Sequence, residues 1–419
     1  MVSRQKKIFV YDDFSSDEPA LLGILYVDII KGGETYSFEY DRKWLEKMNF
    51  SITLDPELSP FPGRQYPAGK HIFGLFSDAS PDRWGRVLMN RKERILAEKE
   101  GRKPSKLYDS DYLLGVYDET RMGAIRLKMD VDGPFLSDDR ETAVPPWATL
   151  RTLEEASRNF EADDSGLSAK WLNQLIKPGS SLGGARPKAT VVDTKGQLWI
   201  AKFPSRNDDY DIGAWEKVVH DLAKLCGFNV PESKLEKFSK LGSTFLVKRF
   251  DREAEKRIHF ASAMTLLGKS DGASASDGSS YLEIADFIKA NGANPKADLK
   301  ELWKRIVFNM AVTNTDDHLR NHGFIFSKKG WLLSPLYDVN PVPYGDELSL
   351  NVDEYDNRID VDLAVESAIY YGISDVDEAK KCVKEILYII KNNWQMLAAK
   401  YGISRGKIEE MRPAFSLCE

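Results

Sequence analysis

Residues 314–338 read NTDDHLRNHGFIFSKKGWLLSPLYD, and they follow an apolar stretch, Leu299 to Thr313, that predicts a helix. Asp316 and Asn321 are five residues apart, which is the spacing of the base and the metal-binding asparagine in a kinase catalytic loop. The hairpin that follows turns at residues 328–330 and delivers Asp338. This is the place expected for a second metal-binding carboxylate.

Phosphoryl transfer requires these residue types. A carboxylate at Asp316 can accept the proton of a substrate hydroxyl, and the spacing to Asn321 favours it over its neighbour Asp317. The amide oxygen of Asn321 and the carboxylate of Asp338 are hard oxygen donors of the kind that Mg²⁺ prefers. His318 is interpreted as an orienting residue within the loop. An Asx-rich turn followed by an ordinary hairpin would explain either half alone, but not the two together with the upstream features.

Those upstream features come in the order of a kinase small lobe. A glycine-rich loop, SSLGGARPK at 180–188, runs into two predicted strands, and the second strand carries Lys202 between apolar residues. Lys202 is predicted to grip nucleotide phosphates, although an edge lysine reaching water remains the plain alternative. The next predicted helix carries Glu216, a candidate partner for Lys202, although a surface residue or one that interacts with the helix dipole would fit the sequence equally. A further strand pair exits at 248–252, where the backbone of a kinase hinge would bind adenine.

Composition excludes several other classes of protein. The 419 residues carry a net charge of −6, so the whole chain does not resemble a nucleic-acid binder. Three distant cysteines and five scattered histidines exclude a disulfide scaffold, a zinc ribbon and a histidine-rich metal site. No leader-like or membrane-spanning stretch is apparent. We therefore expect a cytoplasmic α+β protein with no membrane contact.

A predicted linker and changes in the secondary-structure pattern divide the chain into three predicted domains. The first part is rich in β-patterns, including a hairpin at 22–40. A proline-rich stretch at 131–148 is typical of a linker. The predicted domains are an N-terminal β-rich subdomain at 1–140, a small lobe with the glycine-rich loop at 141–252, and a helical large lobe at 253–419.

Two helix starts are also predicted from capping residues. Asp82 or Ser80 could cap a helix near Pro81, because both side chains accept hydrogen bonds from backbone N–H groups. Thr152 and Glu155 have the spacing of a capping box at the start of another helix.

The combined motifs resemble the HipA-like serine/threonine kinases, the toxin components of bacterial toxin–antitoxin pairs. The resemblance rests on SSLGGARPKA, WIAKFP, VKRFDR, NTDDHLRNHGF and LYDVNPV, with FGLFSDASPDRWGR and the hairpin GILYVDIIKGGETYSFEYDRKW in the N-terminal region. It covers most of the chain. It implies an α+β, two-lobed kinase-like fold related to lipid kinases, with an N-terminal β-rich subdomain and a helical C-terminal lobe.

The resemblance also implies roles for individual residues. The ATP-binding residues would be Ser181, Gly183, Gly184, Lys202, Glu216, Lys248 and Phe250. Asp316 would act on the substrate hydroxyl, and Asn321 and Asp338 would bind Mg²⁺. Ser181 aligns with the regulatory serine that the family autophosphorylates, and Ser180 beside it leaves the assignment open. A phosphate there would add about −2 charge to the loop that cradles ATP and would repel the nucleotide.

Partners and alternatives follow from the same resemblance. The expected partners are a protein substrate, which in well-studied members is an aminoacyl-tRNA synthetase, and a small DNA-binding antitoxin. DNA would be contacted only through that antitoxin. Two other functions remain open, a small-molecule or lipid kinase on a similar scaffold and a catalytically silent co-repressor that binds a partner. Tyr337-Asp338-Val339 in place of Asp-Phe-Gly argues against a eukaryote-like protein kinase.

Overall fold

The computed structural model describes residues 4–30, 32–47, 53–136, 144–163, 169–177, 184–254 and 256–419. Within these residues the strands are β1 (Arg4–Asp12), β2 (Ala20–Ile30), β3 (Gly33–Tyr40), β4 (Ile125–Lys128), β5 (Lys188–Val192), β6 (Leu198–Lys202), β7 (Ser233–Glu236), β8 (Thr244–Lys248), β9 (Arg252–Glu253), β10 (Lys256–Arg257), β11 (Phe260–Ser262), β12 (Gly323–Ser327) and β13 (Gly330–Leu333).

The helices of the same residues are α1 (Arg42–Lys47), α2 (Gly74–Asp78), α3 (Arg83–Lys99), α4 (Asp109–Gly115), α5 (Leu150–Ala162), α6 (Ala169–Leu175), α7 (Ile212–Leu225), α8 (Ala263–Leu266), α9 (Tyr281–Asn291), α10 (Pro295–Ala311), α11 (Val361–Ser367), α12 (Val376–Lys400) and α13 (Arg405–Met411). Short 3₁₀ helices cover Trp147–Thr149, Ala275–Asp277, Ala368–Tyr371 and Arg412–Cys418.

The chain divides into two compact units. Unit 1 comprises Met1–Arg206 and Lys248–Ala261, and unit 2 comprises Asn207–Val247 and Ser262–Glu419. The boundaries at 1–140, 141–252 and 253–419 stay a prediction, since they divide the chain by expected role.

Unit 1 contains an antiparallel four-stranded sheet with the order β3-β2-β1-β4. The predicted N-terminal hairpin is confirmed, because β2 and β3 pair from Gly23 with Tyr40 to Ile30 with Gly33. Strands β5 and β6 form a second antiparallel hairpin, in which Lys188 lies opposite Lys202. This hairpin carries the predicted phosphate-gripping lysine.

The two predicted helix starts in unit 1 have different outcomes. Asp82 is the N-cap of α3, and its side chain accepts a hydrogen bond from the N–H of Gly85 at 3.1 Å. The capping box at Thr152 is wrong, because α5 begins at Leu150 and its N-cap, Thr149, makes no side-chain capping bond. The 3₁₀ turn before α5 supplies the acceptors instead: the Pro146 carbonyl receives Thr149 N–H and the Trp147 carbonyl receives Leu150 N–H.

Unit 2 is built around long helices. The predicted C-terminal helix is α12, and its Trp394 stacks on Phe415 at 4.4 Å between ring centroids, with Trp215 of α7 packed against both rings. Helix α10 leads into the 314–322 loop, and the antiparallel hairpin of β12 and β13 follows. No helix among the described residues is both long and apolar enough to cross a membrane.

Candidate active site

The loop after α10 starts with a sharp reversal of the backbone. Thr313 has a left-handed φ of 51°, and Asn314 N–H donates back to the carbonyl of Asn309 at 2.8 Å. The Asn314 side chain then bridges two segments, because its Nδ2 donates to Asn309 Oδ1 at 3.1 Å and its Oδ1 accepts from Asn340 N–H at 3.4 Å. These contacts fix where the loop leaves the helix.

Asp317 is the buried centre of this loop. Its Oδ2 accepts hydrogen bonds from Tyr281 Oη at 2.7 Å and Asn309 Nδ2 at 2.7 Å, and it pairs with His322 Nε2 at 2.8 Å. Burial raises the pKa of the Asp317 carboxyl, but the electrostatic attraction of His322 and the donated hydrogen bonds outweigh it and hold the pKa below its usual value. Asp317 is therefore an ionised anchor that ties the loop to α9 and α10.

Asp316, one residue earlier, is exposed. Its carbonyl oxygen accepts from Asn321 Nδ2 at 2.9 Å and from His318 N–H at 3.0 Å, and the His318 carbonyl accepts from Asn321 N–H at 2.8 Å. The loop thus brings Asp316 and Asn321 together and leaves the Asp316 carboxylate on the surface of unit 2. His318 takes part through its backbone, and its buried Nδ1 has no hydrogen-bond partner among the described residues.

Asp338 follows the β12–β13 hairpin in a left-handed conformation, with a φ of 57°. The residues around it run back beside the loop. Tyr337 Oη donates to the Arg320 carbonyl at 2.7 Å, and Val342 N–H donates to the Thr313 carbonyl at 3.1 Å. A non-glycine residue at positive φ is uncommon and is typical of functional sites, although aspartate tolerates the conformation better than most residues. The backbone therefore holds Asp338 next to the loop of Asp316 and Asn321.

The donors at this place suit Mg²⁺ chemically. Because Asn321 Nδ2 is engaged as a donor, its Oδ1 is the atom that can ligate a cation. Among the described residues no group of three or more His, Cys, Asp or Glu side chains could hold a metal ion. Mg²⁺ usually takes only one or two protein carboxylates and completes its shell with water and substrate phosphates, so an asparagine and an aspartate fit this ion.

Unit 1 carries the residues predicted to bind the nucleotide. Lys202 ends β6 and is half-buried, and Gly184 precedes β5 with a left-handed φ of 90°. Ser181 and Gly183, together with Ser180, lie outside the described residues. Glu216 is buried in α7 of unit 2, whereas Lys202 belongs to unit 1. Their ion pair stays a prediction.

The exit segment after β8 is fixed by buried charges that sequence reasoning missed. Lys248 and Phe250 are half-buried, but Arg249 between them donates from Nε and Nη2 to both carboxylate oxygens of Asp251, at 2.8 and 2.6 Å. Burial raises the pKa of Asp251, but the positive charges of Arg249 and Arg252 lower it by more. The pKa of Asp251 therefore lies below its usual value. Asp251 also accepts Gly123 N–H at 2.8 Å. In the sequence, the closely spaced basic and acidic residues of VKRFDR (247–252) were the feature that could have predicted this network.

Three comparisons with known proteins agree with this architecture. A model of the HipA-like C-terminal domain matches residues 180–394. The chain belongs to the HipA-like family. The match spans the glycine-rich loop, the strand lysine and the 314–338 motif, so the resemblance drawn from those residues is confirmed.

Two curated relatives of the chain are named as putative kinases. A Haemophilus influenzae protein named "Putative kinase" is 31% identical over 194 residues, which are 40% of this chain and 56% of that protein. The chain therefore spans about half the length of that relative. A Sinorhizobium fredii protein named "Putative kinase Y4mE" is 26% identical over 341 residues, covering 74% of this chain and 73% of that protein.

A solved structure shows the fold. The HipA of Shewanella oneidensis, in a complex of HipA, HipB and operator DNA, is 18% identical and superposes with a TM-score of 0.68 over 98% of this chain and 96% of that one. The expected α+β, two-lobed kinase-like fold with a β-rich N-terminal region is thereby confirmed.

Proposed function

We propose that this chain is an ATP- and Mg²⁺-dependent protein serine/threonine kinase of the HipA type. The observation that carries the proposal is the loop of unit 2, in which Asn321 is fixed by the Asp316 carbonyl and Asp338 is held alongside in a left-handed conformation. The names of the curated relatives support a kinase. Buried Asp317 supports the choice of exposed Asp316 as the reacting carboxylate.

Each residue would have a definite role in the transfer. The Asp316 carboxylate would accept a hydrogen bond from the substrate hydroxyl, orient it toward the γ-phosphate and receive its proton. Asn321 Oδ1 and the Asp338 carboxylate would hold Mg²⁺, which neutralises phosphate charge when bound. Lys202 and the backbone at Gly184 would position the phosphates, with Glu216 orienting Lys202. Backbone groups at Lys248 and Phe250 would bind adenine.

The substrate class is tested by labelling a cell lysate with γ-labelled ATP. We expect wild-type protein to transfer phosphate to serine or threonine of one protein target, with an aminoacyl-tRNA synthetase as the first candidate. Asp316→Asn should leave no detectable label, and Asp377→Asn, which changes an exposed carboxylate on α12, should label as wild type does. Label that appears only in lipid or small molecules would replace the protein-kinase proposal.

Autophosphorylation is proposed for Ser181. We expect one added phosphate on the peptide that contains it after incubation with ATP and Mg²⁺. Ser181→Ala should remove the phosphate, and the matched variant Ser180→Ala should retain it. The reverse result would move the assignment to Ser180, and phosphate in neither position would remove the self-regulation proposal.

An antitoxin partner is proposed on the basis of the Shewanella HipA, which was solved with HipB and operator DNA. This chain has a net charge of −6, so we expect it to reach DNA only through a small DNA-binding protein. Gel-shift measurements with operator DNA should show no shift by the chain alone and a supershift with the partner. Direct binding by the chain alone would contradict this proposal.

A further inference from the structure

The first turn of α3 contacts both ends of the segment 184–188. Trp84 N–H donates to the Gly184 carbonyl at 3.3 Å, and Trp84 Nε1 donates to the Lys188 carbonyl at 3.1 Å. Asp82 Oδ2 lies 3.5 Å from Lys188 Nζ, and both of these side chains are 4% exposed. All these residues belong to unit 1. The described end of the glycine-rich loop is therefore held by a helix from the N-terminal region.

The buried ammonium of Lys188 lies close to Gly184, the first described residue of the glycine-rich loop. A Cβ added at Gly184 would lie 3.1 Å from Lys188 Nζ. Lys188 is also the cross-strand partner of Lys202 in the β5–β6 hairpin, and such partners have Cβ atoms about 5 Å apart. Asp82 thus pairs with a lysine whose ammonium adjoins Gly184 and whose backbone is paired with that of Lys202, the lysine proposed to bind phosphate.

The Asp82 carboxylate has two separate tasks. Oδ1 accepts from Gly85 N–H and caps α3, while Oδ2 faces Lys188. Capping alone needs no charge, since asparagine caps helices as well as aspartate does. A buried lysine does need a counter-charge, because an unpaired ammonium in a low-dielectric site moves toward water or loses its proton. The charge of Asp82 is therefore explained by Lys188 and not by the helix.

We propose that Asp82 is a positioning residue for the nucleotide site: by holding Lys188, and together with Trp84, it fixes segment 184–188 in the conformation that receives the phosphates of ATP. This inference rests on the proposed function, since it concerns the same site. It assigns a role in nucleotide binding to the SPDRWG motif of the N-terminal region. Asp82 touches no reacting atom and acts through Lys188.

The test is Asp82→Asn in the full chain, which keeps the cap and removes the charge. We expect the KM for ATP to rise about tenfold while kcat stays within about threefold of wild type, because ground-state nucleotide binding is what the loop provides. The matched control is Asp109→Asn. Asp109 Oδ1 lies 3.1 Å from Nη2 of Arg86, which lies on α3, and loss of this carboxylate charge should leave the KM for ATP and kcat unchanged. An unchanged KM for Asp82→Asn would overturn the proposal.

A double-variant cycle separates positioning from general loosening. If Asp82 acts through Lys188, adding Asp82→Asn to Lys188→Met should weaken ATP binding no further, whereas independent effects would add. Should Asp82→Asn fail to fold, Trp84→Phe keeps an aromatic ring against Phe160 and removes the Nε1 donor together with part of the buried ring system. We expect it to raise the KM about threefold, as loss of one hydrogen bond does. Additive effects in the cycle, or no change with Trp84→Phe, would contradict the proposal.

Direct ATP binding by calorimetry distinguishes this inference from the proposed function. Wild-type protein that transfers phosphate, with Asp82→Asn equally tight for ATP, would sink the inference alone. Wild-type protein that binds ATP but transfers nothing would sink the kinase proposal, and weaker binding by Asp82→Asn would still support the inference. Wild-type protein that binds no ATP would overturn both.

Discussion

The loop at 314–322 in unit 2 and the segment 184–188 in unit 1 are held in different ways. The partners of Asp317 include Asn309 and His322, eight and five residues away, and all its bonds meet at one buried carboxylate oxygen. Segment 184–188 is held by Trp84, which is 104 residues from Lys188. One loop is organised mainly by its own neighbourhood, and the other depends on a distant helix.

The difference explains what each loop tolerates. A loop that is fixed by the buried, ionised carboxylate of Asp317 should keep its geometry when an exposed residue such as Asp316 is changed. A segment fixed by an ion pair with another part of the chain should respond to changes far away in sequence. The variants below test this contrast.

The largest effect is expected at Asp338. Asp338→Asn keeps a residue that tolerates the left-handed φ of 57° and removes the carboxylate. Loss of a metal-binding carboxylate removes several kcal/mol of transition-state stabilisation, so phosphoryl transfer should fall about 10³-fold. Urea unfolding should show unchanged stability. Transfer within a few-fold of wild type would exclude Asp338 from the machinery.

The next largest effect is expected at Asp317. Asp317→Ala leaves three buried groups without their shared acceptor, so the free energy of unfolding should fall by about 3–5 kcal/mol. Denaturant unfolding measures this loss, and Asp316→Asn is the matched control, because it changes an exposed neighbouring carboxylate. Equal free energies of unfolding for the two variants would show that Asp317 does not anchor the 314–322 loop.

The glycine-rich loop offers a matched pair of glycines. Gly184 and Gly196 both have positive φ, but a Cβ would meet Lys188 Nζ at Gly184 and nothing within 4 Å at Gly196. Both alanine variants should lose about 1 kcal/mol of stability to backbone strain. Only Gly184→Ala should also weaken ATP binding, about tenfold, by displacing Lys188. Similar ATP affinities for the two variants would show that Lys188 does not affect the nucleotide site.

A further effect, which is absent at neutral pH, is a pH dependence of stability in unit 1. Burial lowers the pKa of His259, which stacks on Phe14, to about 3 from 6.5. The unfolded chain therefore binds a proton that the folded chain does not between these values, and stability should fall by about 1.4 kcal/mol per pH unit as pH drops below 6.5.

The corresponding change in unit 2 occurs at lower pH. The pKa of Asp317 is lowered below 3.8, so its contribution is complete above that value and is lost as pH falls through the folded pKa. The free energy of unfolding should be measured from pH 7 to 4 for the wild type and for His259→Gln. In the variant, the part of the pH dependence that comes from His259 should be absent. An identical pH profile in that variant would show that His259 titrates normally.

The same contrast governs what could be read from the sequence. Asp316, Asn321 and Asp338 lie within 23 consecutive residues, so a local sequence motif was enough to predict them as site residues. The periodic spacing of apolar residues predicted helices α10 and α12. The ion pair of Asp82 with Lys188 and the hydrogen bond from Gly123 N–H to Asp251 join segments far apart in the chain. No local pattern encodes such contacts, because they arise only when the N-terminal region packs on the hairpin.

Local rules also failed at one helix start. The Thr152 capping box was predicted from a four-residue pattern, whereas a 3₁₀ turn at Trp147–Thr149 extends the helix backwards to Leu150. A preceding turn that satisfies the first N–H groups removes the need for a side-chain cap. Asp82 succeeded as a cap because no such turn precedes it.

The central claim is that the 314–338 region performs phosphoryl transfer with Asp316 as the carboxylate that receives the hydroxyl proton. Its most direct test is single-turnover transfer of the γ-phosphate of Mg²⁺-bound ATP by folded Asp316→Asn, with ATP affinity measured in the same preparation. We predict ATP affinity within about twofold of wild type and transfer reduced by about 10²–10⁴-fold, the usual contribution of a general base. Transfer at the wild-type rate by this variant would contradict the account.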